Sequence, residues 1–139
     1  MSREDKLKII TDETVRTVLS VSNKVEKIIL FGSQARGDSV EGSDIDILVV
    51  ADIPKELLSA VKREMRNYAS DTGLKYDEVI SLIIITKQEY ETMGKTLFYQ
   101  NVANDGIELS ITDDEKIDLV AKRILKKYKR AFLELAKWC

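Results

Sequence analysis

Between Ile28 and Val50 the chain reads IILFGSQARGDSVEGSDIDILVV. Val25 to Phe31 is a short run of mostly branched apolar residues closed by Gly32, which suits a buried strand better than a helix. Ser33 to Arg36 fits a single helical turn. Gly37 to Ser43, mostly polar with two glycines, reads as a loop. From Asp44 the pattern alternates and then turns fully apolar to Ala51, as a strand does when it enters a core. Two strands this close in the chain put a sheet at the centre of whatever forms, and the second opens on two carboxylates. Charged groups inside a strand are costly, so something must compensate them.

The flanking segments supply layers for that sheet. Glu4 to Asn23 has Leu7, Ile10, Thr14, Val18 and Val21 at helical spacing. After Pro54, suited to a helix start, Leu57, Leu58, Val61, Met65, Tyr68 and Ala69 keep that spacing up to Gly73, a plausible stop. KYDEVISLIIIT is a third strong strand. TKQE from Thr86 to Glu89 is a capping-box pattern that starts another helix. KTLFYQNVANDG predicts a further short helix ending near Gly106, Ile107 to Ser110 a small last strand, and TDDE from Thr112 to Glu115 the start of a long C-terminal helix. The alternation of strands and helices predicts an α/β (α+β) fold, a mixed central sheet flanked by helices. With 139 residues, a single domain is expected over 1–139, its core at about 5–110 and the C-terminal helix at about 112–138.

Composition removes several chemistries. The chain has no histidine, so the usual general base and every Ser-His or Cys-His mechanism are excluded. The one cysteine is Cys139, so neither an internal disulfide nor a thiolate metal cluster forms. A net charge of −2 gives no bulk attraction for nucleic acid. No apolar run reaches the roughly 18 residues of a membrane span, and the first residues lack a signal-peptide core, so a cytoplasmic protein is expected.

Chemistry is left to carboxylates, lysine, arginine, hydroxyls or a hard metal ion. Asp44 and Asp46, two residues apart in a strand, project from one face with Cα atoms roughly 6–7 Å apart. Like charges this close raise one another's pKa unless a cation sits between them. Mg²⁺ suits the pair, with Mn²⁺ as a substitute, because it takes hard oxygens from one or two carboxylates while substrate phosphates complete its shell. Gly32 and Ser33 supply the other half: a glycine lets a phosphate approach the backbone, and a turn starting at Ser33 aims N–H groups at it. Arg36 is placed to neutralise a phosphate or to fix the loop.

The stretch GSQARGDSVEGSDIDILVV resembles the signature of the minimal nucleotidyltransferases of the DNA polymerase beta superfamily, with Gly-Ser, then Arg-Gly, then Ser-Asp-x-Asp before an apolar strand. The resemblance implies that Gly32, Ser33, Arg36 and Ser43 bind the nucleotide, that Asp44 and Asp46 hold the catalytic metal, and that a nucleoside monophosphate passes from an NTP, ATP first, to an acceptor hydroxyl. The family commonly adds a third carboxylate on a neighbouring strand. Asp77 is the obvious candidate for metal and catalysis, whereas counting back from Thr86 puts the slot at Ser81. Strand parity would set Asp77, Val79 and Ser81 on one face.

The resemblance also implies a HEPN-type toxin as partner, with this chain as its antitoxin. Two rivals stand beside this: a catalytically inactive protein of the same fold that acts by partner binding, and a nucleotidyltransferase for small molecules such as aminoglycosides. Ile117, Ala121, Ile124, Tyr128, Ala131, Leu135 and Trp138 form a heptad-like seam that packs on the domain, makes a homodimer through the C-terminal helix or takes a partner helix. The basic residues from Lys122 to Arg130 belong to a solvated face or contact RNA or an acidic protein.

Overall fold

The computed structural model describes residues 2–109 apart from 38, 40, 41, 94 and 95. The anticipated C-terminal helix, its seam and its basic cluster lie outside the described residues. Along the chain come α1 (Arg3–Val21), β1 (Val25–Phe31), α2 (Ser33–Arg36), β2 (Ile45–Ala51), α3 (Lys55–Tyr76), β3 (Ile80–Thr86), α4 (Lys87–Met93), α5 (Leu97–Asp105) and β4 (Ile107–Glu108). The strands form one sheet in the order β3-β2-β1-β4. β1 is antiparallel to β2 and to β4, while β3 runs parallel to β2. The sheet is therefore mixed, and α3 is the crossover that a parallel neighbour requires.

Two helix starts are fixed by side-chain caps. Ser2 caps α1 by accepting from the Asp5 N–H at 3.1 Å, with Glu4 and Asp5 in the first turn, where acidic residues complement the helix dipole. Thr86 ends β3 and caps α4: its Oγ1 accepts from the Glu89 N–H at 3.1 Å. The capping-box spacing in the sequence thus marks a real strand-to-helix junction.

Strand parity then divides the core. Ile28 and Leu30 of β1, Ile45, Ile47 and Val49 of β2, and Leu82 and Ile84 of β3 pack with Ile10, Val15 and Val18 of α1 and Leu58, Met65 and Ala69 of α3. On the opposite face Ile29, Leu48, Val50 and Ile85 pack with Val102 of α5. β2 is covered on both faces, with Ile47, Leu48 and Val49 at 0% exposure. That is why its sequence is continuously apolar rather than alternating after Asp46.

Two expectations need correcting. Leu57, counted in the apolar helical spacing of α3, lies off the buried face and is 53% exposed. Gly73 is no helix stop, because α3 continues to Tyr76 and is closed by Asp77 in the left-handed region at φ 55°. The Glu78 N–H donates to the Gly73 carbonyl at 2.9 Å, the six-to-one bond of a Schellman end. Gly73 is a contact point: a Cβ there would stand 2.5 Å from the Glu78 carbonyl oxygen. Accordingly β3 begins at Ile80, and Asp77 lies before it in the turn.

Candidate active site

The end of β1 creates the site. Gly32 has φ 76° and ψ −159°, a conformation that side-chain-bearing residues rarely hold. A Cβ on it would come within 2.6 Å of Asp46 Oδ2. Glycine is thus required twice, for the turn out of the strand and for the carboxylate lying over its Cα. Phe31 pairs with Asp46 across the β1–β2 ladder, so the two side chains share the face on which Leu48 and Val50 lie.

α2 follows directly. The Gly32 carbonyl accepts from the Ala35 and Arg36 N–H groups, each at 3.1 Å, which leaves the Ser33 and Gln34 N–H groups without intrahelical acceptors. Gly37, left-handed at φ 78°, ends the turn with its N–H on the Ser33 carbonyl. Ser33 and Ser43 are half-buried and Arg36 is exposed. Asp44 is exposed and stands one residue ahead of β2. The next residue, Ile45, is held by its N–H bonding the Val79 carbonyl at 2.9 Å.

Asp46 is the electrostatically loaded member of the pair. Partial burial pushes its pKa above the ordinary aspartate value, and the neighbouring Asp44 charge adds to the rise. Both causes penalise the carboxylate in the metal-free protein, and a divalent cation held between the two groups would offset both. The donors are hard oxygens set beside backbone N–H groups at a helix start, a set that fits Mg²⁺ or Mn²⁺ carrying substrate phosphates.

The structure separates the two candidates for a third position. Ser81 pairs with Asp46 across the parallel β2–β3 ladder, which puts its hydroxyl on the Asp46 face one strand away. Asp77 is exposed in the left-handed turn after α3, outside the strand. The parity argument that aligned Asp77 with Ser81 therefore fails, since side-chain alternation holds only within a strand. Among the described residues, no three Asp, Glu, His or Cys side chains are grouped to hold a metal. Gly32, Ser33, Asp44 and Asp46 lie along one edge of the sheet at the ends of β1 and β2, and Asp77 is not brought to them.

Two contributors escape a reading of the sequence. Gln34, 8% exposed, donates from Nε2 to the Ser43 carbonyl at 3.3 Å. Arg3 of α1 donates from Nε to Ser39 Oγ at 3.3 Å, tying the first helix to the loop. Neither residue has a spacing that reveals its partner. Phe31, next to Asp46, meets Phe98 of α5 edge to face, with centroids 5.6 Å apart and planes at 87°, so the floor on that side is aromatic.

The chain is similar to several known proteins. A protein of Methanocaldococcus jannaschii provisionally named protein adenylyltransferase MJ0141 is 40% identical over 96 residues, 68% of this chain and 87% of that protein. A second from the same organism, provisionally named protein adenylyltransferase MJ0604, is 36% identical over 83 residues, 60% of this chain and 76% of that protein. Solved structures of similar shape include a toxin–antitoxin complex with AMP-PNP, at TM-score 0.45 and 20% identity over 98% of this chain and 99% of that one. A provisionally named nucleotidyltransferase from Sulfolobus solfataricus matches at TM-score 0.46 and 23% identity over 76% of this chain and 82% of that one. The nucleotidyltransferase domain profile matches residues 12–135, a span that contains Gly32, Ser33, Asp44 and Asp46, and the chain belongs to that family.

Proposed function

We propose that the protein is a metal-dependent nucleotidyltransferase in which a hydroxyl oxygen of another protein attacks the α-phosphorus of ATP, gives up its proton and takes the AMP group, while the α–β phosphoanhydride bond breaks and pyrophosphate leaves. The observation that carries this reading is the Asp46 carboxylate lying over the Cα of Gly32, with its pKa raised by burial and by Asp44. That contact joins an acidic pair in need of a cation to a strand end where a phosphate can meet backbone N–H groups. Family membership and the naming of relatives as protein adenylyltransferases support the donor and the class of acceptor.

Asp44 and Asp46 would hold the divalent ion, which when bound supplies Lewis-acid stabilisation of charge on the phosphates. Ser33 would donate its hydroxyl and N–H to a phosphate oxygen, Gly32 would allow the close approach, and Arg36 would offset charge at the rim. Ser43 sets the chain leading into Asp44. ATP labelled in its α-phosphate, incubated with Mg²⁺, the protein and a candidate acceptor, tests the reading, and a HEPN-type toxin, the partner implied by the family resemblance, is the first acceptor to try. Label should move to the acceptor with wild-type protein and not with Asp44→Asn/Asp46→Asn. No transfer, with partner binding intact, refutes it.

One observation favours a second reading. Ser81 occupies the position beside Asp46, and serine is a weak metal ligand and a poor base. A protein that neutralises its partner by contact alone would tolerate that residue. Under this reading the Asp44→Asn/Asp46→Asn double variant keeps full biological activity.

A further inference from the structure

Gln34 is the second residue of α2, yet it is 8% exposed in a motif that is otherwise polar and half open. Its Nε2 donates to the Ser43 carbonyl at 3.3 Å, and a carbonyl acceptor fixes the amide with its NH₂ end toward that oxygen. The bond joins two points nine residues apart in the connection from β1 to β2. On one side of Asp44, Ser43 is thus tied back to the helix that follows Gly32. On the other, Ile45 is tied to Val79 through its N–H at 2.9 Å. Gln34 also lines a small cavity with Lys6, Ile10, Ile45 and Glu78, where Lys6 and Glu78 form an ion pair at 3.0 Å.

Asp44 itself is exposed and precedes the strand, so no ladder bond of its own fixes where its carboxylate stands. We infer that Gln34 is a positioning residue for Asp44: its amide, acting through the Ser43 carbonyl, sets the spacing between the Asp44 and Asp46 carboxylates and so the pair's affinity for a divalent cation. The inference rests on the reading of that pair as the metal-holding group.

The test uses Gln34→Met, which keeps the side chain's length and removes the donor, and Gln34→Glu, which sets a carboxylate against the carbonyl. Two quantities are read on the full chain: backbone ¹⁵N order parameters in metal-free buffer, and Mn²⁺ affinity by electron paramagnetic resonance. In both variants the Ser43 and Asp44 amides should fall from the rigid range near about 0.85 to below about 0.6, with Leu48 and Val49 unchanged. Mn²⁺ should bind about tenfold or more weakly, as on loss of an outer-shell partner. Should the Met variant lose its dispersed spectrum, the Glu variant decides. Amides at 43 and 44 as rigid as in the wild type overturn the inference, as does a loosened loop with unchanged Mn²⁺ affinity. Wild-type protein that takes up no Mn²⁺ at millimolar concentration overturns the metal reading instead, and the two failures are distinct because the order parameters are measured without metal.

Discussion

Replacing Asp46 by asparagine should make the metal-free protein more stable, although it removes a central group of the candidate site. Asp44 and Asp46 stand two residues apart, with Cα atoms roughly 6–7 Å apart if the strand geometry extends one residue outward. At about 6.5 Å two unit charges repel by about 0.6 kcal/mol in a water-like medium and about 2.5 kcal/mol at an effective dielectric of 20. Asp44 is exposed, so the lower half of that range applies, and relief from burying the Asp46 charge acts in the same direction. A gain of about 1 kcal/mol follows, or about 4 °C in Tm for a chain of this length. The measurement is thermal or urea unfolding of both proteins in EDTA at low salt, where the repulsion is least screened. Added Mn²⁺ should reverse the order, because only the wild type keeps both carboxylates: at a hundredfold excess over Kd a bound ion contributes about 2.7 kcal/mol. An Asp46→Asn protein less stable than wild type in EDTA would mean that the Asp46 carboxylate makes stabilising contacts without metal. The electrostatic account of the site would then be wrong.

The same group sets a pH dependence. A raised native pKa means that the folded protein holds a proton more tightly than the unfolded chain, so the Asp46 contribution to stability falls as pH rises from about 3.8 through the raised value. The difference between wild-type and Asp46→Asn stability across a metal-free urea series isolates this slope, and a flat difference contradicts it. Gly32→Ala should cost about 1–3 kcal/mol from the left-handed φ and push the Asp46 carboxylate aside, so Mn²⁺ affinity should fall with stability; unchanged values of both argue against the close packing of Gly32 and Asp46. Gly73→Ala would stabilise an ordinary helix by about 1 kcal/mol. Here the new Cβ meets the Glu78 carbonyl oxygen, and urea unfolding should instead show a loss of about 1–3 kcal/mol.

Family membership was legible through the resemblance of one motif to a known signature, and the acidic pair because it rests on local rules. Asp44 and Asp46 declare themselves by a two-residue spacing, Gly32 by closing an apolar run, and Thr86 by a cap three residues before Glu89, relations that act over a few residues of chain. The end of α3 was not legible in that way. Gly73 looks like a stop in one dimension, and only the passage of Glu78 across it shows that glycine there makes room for a neighbouring carbonyl. Asp77 likewise looked like the first residue of a strand. A left-handed backbone at that one position removed it from the alternation that would have aligned it with Ser81.

Which residue stands beside Asp46 was decided by the parallel register of β2 and β3, and that register depends on how far the crossover helix runs before the chain turns back. The bond from Gln34 to the Ser43 carbonyl depends in the same way on the folded path of a loop. The sequence determined the elements, the carboxylates and the glycine corner, because propensity and spacing are properties of neighbouring residues. The tertiary structure decided which side chains meet across strands, because register and loop closure emerge only when the whole sheet packs.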